Sequence, residues 1–221
     1  MSVFEGRGLS CIRGERRVFE GLDFALPAGG ALVLVGPNGS GKSSLLRLMA
    51  GLLHPAAGRL LWDGRPVAED AEAFRARLRY VGHAEAVKPV LSAAENVAFW
   101  AGLQGAGPDE AGDGVMRALA GFDLEYLAEV PGRMLSAGQR RRVALARLLS
   151  GPADLWLLDE PTVGLDRAAR ARLDSAIAAQ RAAGGRVALA THGALDIPDA
   201  ETLDLGRFAV RAPAFDPEAG W

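Results

Sequence analysis

The hydrophobic pattern changes period several times along this chain. Near its start Leu22, Phe24 and Leu26 alternate with polar or small residues, and residues 1 to about 30 read as β structure. Pro27-Ala28-Gly29-Gly30 is a turn, after which Ala31–Val35 is apolar without interruption. That run is too short for a helix and suits a strand buried on both faces. Leu45, Leu46, Leu48 and Met49 then recur at helical spacing, with Gly51 and Pro55 placed as stop signals. Residues 58–64 predict a short strand ending in an Asp-Gly turn, 66–78 a charged, alanine-rich surface helix, and 78–81 another strand. From about 84 to 150 the pattern is helical. Ser92-Ala93-Ala94-Glu95 and Ser136-Ala137-Gly138-Gln139 are capping boxes opening apolar helices, with a loop expected over 104–113. Residues 155–158 predict a buried strand, a helix follows to about 183, and 187–190 is a last core strand. The proline- and acid-containing tail, 212–221, is expected to be mobile.

Between the third strand and its helix lies Gly36-Pro37-Asn38-Gly39-Ser40-Gly41-Lys42-Ser43, followed by Ser44. Strand, glycine-rich turn and helix in that order are the context of a P-loop. The glycines let successive N–H groups face one concavity, where a triphosphate takes the place of water. Lys42 is placed to reach the β- and γ-phosphates of ATP and the Ser43 hydroxyl to ligate Mg2+. The chain has only two lysines, Lys42 and Lys88, and otherwise uses arginine, so a compact ammonium is kept where a point charge is needed.

Composition narrows the setting. A net charge of −2 over 221 residues, with no basic tail, gives no sign of a nucleic-acid partner. The densest basic run, Arg140–Arg142, reads as a solvated helix face. One cysteine, Cys11, excludes a disulfide framework and suits a reducing cytoplasm. No signal-peptide arrangement opens the chain, and no apolar run approaches the roughly 20 residues that span a bilayer. A soluble protein is expected, reaching a membrane only through a partner.

Further groups complete the P-loop's chemistry. The strand at 155–158 ends in Asp159, placed to hold the metal, and Glu160, placed to polarise a water as general base. Gly164-Leu165-Asp166 is a tight turn beyond them. His192 follows the last core strand, within reach of a γ-phosphate. Leu135-Ser136-Ala137-Gly138-Gln139 heads a helix suited to a second anion. One chain needs one γ-phosphate site, so the second is explained if two copies pair head to tail, each closing the other's ATP.

GPNGSGKSS, LSAGQ, LWLLDEPTVGLD and ATHG, in this order, resemble the nucleotide-binding subunit of ABC transporters over about residues 3 to 207. The resemblance implies an α/β fold with a P-loop NTPase (RecA-like) core, an N-terminal antiparallel β subdomain and an inserted helical subdomain at about 85–150. One domain over 1–211 is expected. It also implies a sandwich dimer with ATP between the P-loop of one copy and Leu135–Gln139 of the other. Relatives stack an aromatic residue on adenine where this chain has Arg13, whose flat guanidinium is an adequate substitute. Where relatives carry a glutamine that touches magnesium, this chain has His83, the candidate for that contact. These departures, with the run GHAEAVKPVLSAAENVAFW, are similar to the ATP-binding subunit of the cytochrome c maturation (haem exporter) system. That likeness implies an ATPase at the cytoplasmic face of the inner membrane, held by integral permease subunits of a haem-handling complex. It would power haem export or release of haem to a periplasmic chaperone. The alternatives are the ATPase of another ABC transporter, for a small molecule or lipid, and a soluble non-transport ABC ATPase.

Overall fold

The structure, a computed structural model, describes residues 2–103, 108–191 and 197–210, with the backbone alone for 108–111. Two sheets organise it. β1 (Val3–Arg13) and β2 (Arg16–Pro27) form an antiparallel hairpin, β4 (Ala57–Trp62) pairs with the other edge of β1, and β5 (Arg65–Pro66) closes the sheet. The β4–β5 turn is the Asp-Gly pair foreseen from sequence: Asp63 and Gly64 have φ of 52° and 78°, the left-handed pair that a two-residue hairpin turn requires.

The second sheet is wholly parallel, in the order β6 (Leu78–Val81), β7 (Leu155–Asp159), β8 (Arg186–Ala190), β3 (Ala31–Val35), β9 (Glu201–Asp204). Every residue of β7 and β8 is buried, the apolar runs covered on both faces and Asp159 and Arg186 at the strand ends buried with them. The two-residue period divides each strand between two apolar clusters. Leu32, Leu34, Leu155, Leu157, Ala188 and Ala190 pack with α1 (Lys42–Met49) and with Phe4, Phe19 and Leu22 of the antiparallel sheet. Val33, Trp156, Leu158, Val187 and Leu189 face the other way, onto Leu173 and Ile177 of α6 (Arg167–Ala182). The same cluster runs on into α3 (Ala93–Leu103), α4 (Pro108–Gly121) and α5 (Ala137–Ala146) through Val97, Leu119 and Val143. The helical segment therefore shares its apolar packing with the sheet.

Both predicted capping boxes form. Ser92 Oγ accepts from the Glu95 amide at 3.2 Å while Glu95 Oε2 accepts from the Ser92 amide at 2.7 Å, and Ser136 and Gln139 repeat the arrangement. Three local expectations change. The loop over 104–113 is shorter, because α4 has begun by Pro108; proline is favoured at a first helical position, where no amide partner is lost. The surface helix over 66–78 is a 3-10 turn (Val67–Asp70) followed by α2 (Ala71–Ala76), which Asp70 caps through the Ala73 amide at 3.0 Å. β9 was not foreseen; it is an edge strand with two exposed and two half-buried residues, without an apolar run to mark it. The tail at 212–221 lies outside the described residues, among which no helix is long and apolar enough to cross a membrane.

Candidate nucleotide site

The site begins where β3 ends. Gly36 and Gly41 have φ of 136° and 103°, conformations that a residue with a Cβ rarely adopts. Gly41 is doubly constrained, because a Cβ there would lie 2.6 Å from Val18 and 2.8 Å from Phe19 on β2. The antiparallel sheet thus presses on the turn just before α1, and the first α1 residue, Lys42, is buried. Its Nζ donates to the carbonyls of Gly36 at 2.8 Å and Pro37 at 3.2 Å, so the ammonium is folded over the loop. An arriving phosphate offers it a charged acceptor in place of those carbonyls.

β7 brings its terminal acid to the same place. Ser43 Oγ donates to Asp159 Oδ1 at 3.0 Å, and among the described residues the buried Asp159 Oδ2 has no hydrogen-bond partner. A hydroxyl oxygen beside an orphaned carboxylate oxygen is a donor set that suits Mg2+, which takes one or two protein ligands and completes its shell with water and phosphate. No group of three or more His, Cys, Asp or Glu able to hold a metal by itself occurs among the described residues. Glu160 follows with φ of 50°, an uncommon conformation for a non-glycine residue. Its amide donates to Ala190 at 3.0 Å and its carbonyl accepts from Val163 at 3.3 Å.

A cavity of about 480 Å3 joins these groups, with Asn38, Lys42, Ser43, His83, Asp159 and Glu160 on its walls. Gly39, Gly41 and Ser44 line it as well, and Val18 of β2 adds an apolar rim. His83 is exposed and also faces a second cavity of about 450 Å3, beside Arg47, Tyr80, Trp100 and Arg147. It is thus the wall between the nucleotide cavity and the groove bordered by α3. Ser40 is buried beneath the loop. Arg13 is exposed at the end of β1 and does not line the nucleotide cavity. His192 lies outside the described residues. Cys11 is buried, and burial pushes its thiol up, leaving a packing residue.

Leu135–Gln139 heads α5 and lines none of this cavity. Ser136 Oγ accepts from the Gln139 amide at 3.2 Å, and Gln139 Oε1 accepts from the Ser136 amide at 2.7 Å. Gly138 lies against the Gly164 carbonyl, 3.5 Å from where a Cβ would stand, which places the Leu135–Gln139 segment beside the Gly164-Leu165-Asp166 turn. Asp166 closes that turn by capping α6 through the Ala169 amide at 2.7 Å.

The solvated arginine face expected at 140–142 is not what forms. Arg140 pairs with Glu85 at 3.3 Å, Arg142 donates to the Phe122 carbonyl at 3.2 Å, and Arg141 is only 5% exposed. Three consecutive helical residues sweep about 200° around the axis, so a helix packed on most sides must bury at least one. That sweep says from sequence that one of the three is buried, and the packing of α5 decides that it is Arg141.

The fold and this convergence of loop, lysine, hydroxyl and paired acids define a P-loop nucleotide-binding protein. The family model described as ABC transporter matches residues 19–163. A protein named "Cytochrome c biogenesis ATP-binding export protein CcmA" in Paramagnetospirillum magneticum is 57% identical over 209 residues, covering 95% of this chain and 96% of its own length. Its namesake in Rhodospirillum rubrum is 59% identical over 208 residues, covering 94% and 88%. A solved ATP-binding subunit of an ABC transporter superposes with a TM-score of 0.78 at 27% identity, over 86% of this chain and 79% of that one. A dimeric ATP-binding cassette in a post-hydrolysis state bound to ADP and Pi shares the fold, with a TM-score of 0.76 at 23% identity over 86% and 88%. The chain belongs to the ABC transporter family of ATPases and, within it, to the family of cytochrome c biogenesis ATP-binding export proteins.

Proposed function

We propose that this chain binds Mg2+ and ATP on Gly36–Ser44 and hydrolyses the γ-phosphate to drive a membrane complex of cytochrome c biogenesis. The observation that carries the reading is the shared cavity of Lys42, Ser43, Asp159 and Glu160, in a chain that is 57% identical to a protein named for ATP-binding export. Backbone amides of the loop and the α1 N-terminus receive the phosphates, and Lys42 leaves the Gly36 and Pro37 carbonyls for the β- and γ-oxygens. Ser43 and Asp159 would hold Mg2+, which when bound would neutralise charge developing on the phosphates. Glu160 takes the proton of the attacking water, and His192 steadies the γ-phosphate. Arg13 supplies a flat cationic face for adenine, and His83 adds a contact on the metal side.

Two copies work head to tail, the Leu135–Gln139 segment of each completing the other's site. That none of these residues lines the cavity of its own chain supports this arrangement. Residues 1–211 act as one ATPase domain, with 85–150 as its helical subdomain. Integral permease subunits hold the pair at the cytoplasmic face of the inner membrane. Turnover there supplies work for haem export or haem release to a periplasmic chaperone.

Glu160→Gln tests the chemistry. Removal of a general base typically costs about 10²- to 10⁴-fold, so turnover falls by that factor while an ATP analogue binds as before. Turnover within about threefold of the parent removes Glu160 from the role. Co-purification of the chain from membranes, with identification of the attached polypeptides, tests the permease assignment.

A further inference from the structure

We infer that Arg141 is a positioning residue that ties α5, the helix headed by Leu135–Gln139, to the hydrolytic end of the same chain's nucleotide site. It sits on α5, five residues beyond Ser136, and its guanidinium reaches the main chain of two separate loops. Nη1 donates to the Gly82 carbonyl at 3.2 Å, and Nη2 donates to the carbonyls of Asp159 at 3.1 Å and Glu160 at 2.6 Å. Gly82 immediately precedes His83, and both His83 and Glu160 line the nucleotide cavity. One buried side chain therefore fixes the backbone from which both are presented.

Filling space does not explain it. Burying a guanidinium is costly unless its donors are used, and a methionine could occupy the same volume without that cost. What arginine alone provides is a rigid fork of several donors that satisfies three carbonyls at once. Arg147, six residues on, grips the Tyr80 carbonyl at 2.9 Å and the Glu85 carbonyl at 3.5 Å, both before α3, and so leaves the end of β7 to Arg141. Glu160 has need of such a hold. Its left-handed φ persists only where the surroundings over-determine it. The Ala190 carbonyl receives its amide on one side, and Arg141 takes its carbonyl on the other. A displacement of α5 passes through this fork to Glu160 and His83. This inference rests on the reading of Glu160 as the base.

Purified full-length Arg141→Met, with Mg2+ and ATP, tests it. Misplacing a reacting group by about 1 Å can cost on the order of 100-fold, so turnover is expected to fall about 10- to 100-fold. Affinity for a non-hydrolysable ATP analogue stays within about twofold, because Arg141 touches no part of the phosphate loop. Arg141→Lys, which keeps a cation and three donors, recovers part of the turnover and stands in if the methionine variant fails to fold. The discriminating measurement is the double variant. If Arg141 acts through Glu160, adding Arg141→Met to Glu160→Gln lowers single-turnover hydrolysis no further. The same fractional loss in both backgrounds overturns the inference, as does Arg141→Met or Arg141→Lys with parental turnover. Failure of the base reading appears separately, as undiminished turnover of the Glu160→Gln single variant.

Discussion

Gly41→Ala tests how the antiparallel sheet shapes the phosphate loop. With φ at 103°, an alanine there is held in a conformation that costs an L-residue about 1–2 kcal/mol. Its methyl would also stand 2.6 Å from Val18 Cγ1 and 2.8 Å from Phe19 Cδ1. Phe19 is fully buried in the cluster that includes Leu22 and Leu45, so it has nowhere to retreat. Overpacking of this kind costs about 1–3 kcal/mol, which brings the total to about 2–5 kcal/mol, or roughly 30- to 4,000-fold in an equilibrium constant. Where the cost appears depends on the loop. If the empty loop keeps its shape, the loss falls on folding stability; if it relaxes, the loss falls on ATP affinity. Denaturant unfolding without nucleotide and titration with a non-hydrolysable ATP analogue measure the two parts, and their sum is the quantity predicted. Val18→Ala added to Gly41→Ala returns some of the steric part and none of the dihedral part. A summed loss below about 0.5 kcal/mol would refute the reasoning, since neither source of strain would then be real.

Two further outcomes bear on the proposed site. Arg13→Ala weakens analogue binding by about 0.5–2 kcal/mol and Arg13→Tyr restores much of it; unchanged affinity in Arg13→Ala moves adenine to the Val18 rim. Cysteines at Asn38 and Ala137, in a Glu160→Gln background with ATP bound, bridge between chains; bridging only within a chain sinks the head-to-tail pairing. Asn38 is chosen for exposure, and the native Cys11 is buried.

Much of this architecture was legible because local signals agreed with the tertiary result. Ala31–Val35 and Leu155–Leu158 read as strands covered on both faces because they are uninterrupted apolar runs, and that is how they are buried. Ser92-Glu95 and Ser136-Gln139 were readable because a capping box is satisfied within four residues. β9 was not readable: at a sheet edge, Glu201 and Thr202 stay exposed, and pairing with β3 is decided by a partner some 170 residues away in sequence. Arg141 was missed for a related reason. Charge next to charge reads as solvent, and only the placement of Gly82, Asp159 and Glu160 around α5 supplies carbonyls to receive it. The site residues of the phosphate loop and β7 were visible as chemistry, whereas His83 was visible only as a departure. Its place on the wall shared by two cavities is a product of the fold.

The alternation along β7 has a consequence for how this sequence can drift. Leu155 and Leu157 answer to α1 and the antiparallel sheet; Trp156 and Leu158 answer to the helical side. Adjacent codons are therefore under different selective constraints. Compensating changes for Leu157 should arise among β1, β2 and α1, and those for Leu158 among α5 and α6, although the two residues share a peptide bond. Two lineages of substitutions can accumulate side by side in one five-residue strand, one tuned with α1 and the antiparallel sheet and the other with α5 and α6.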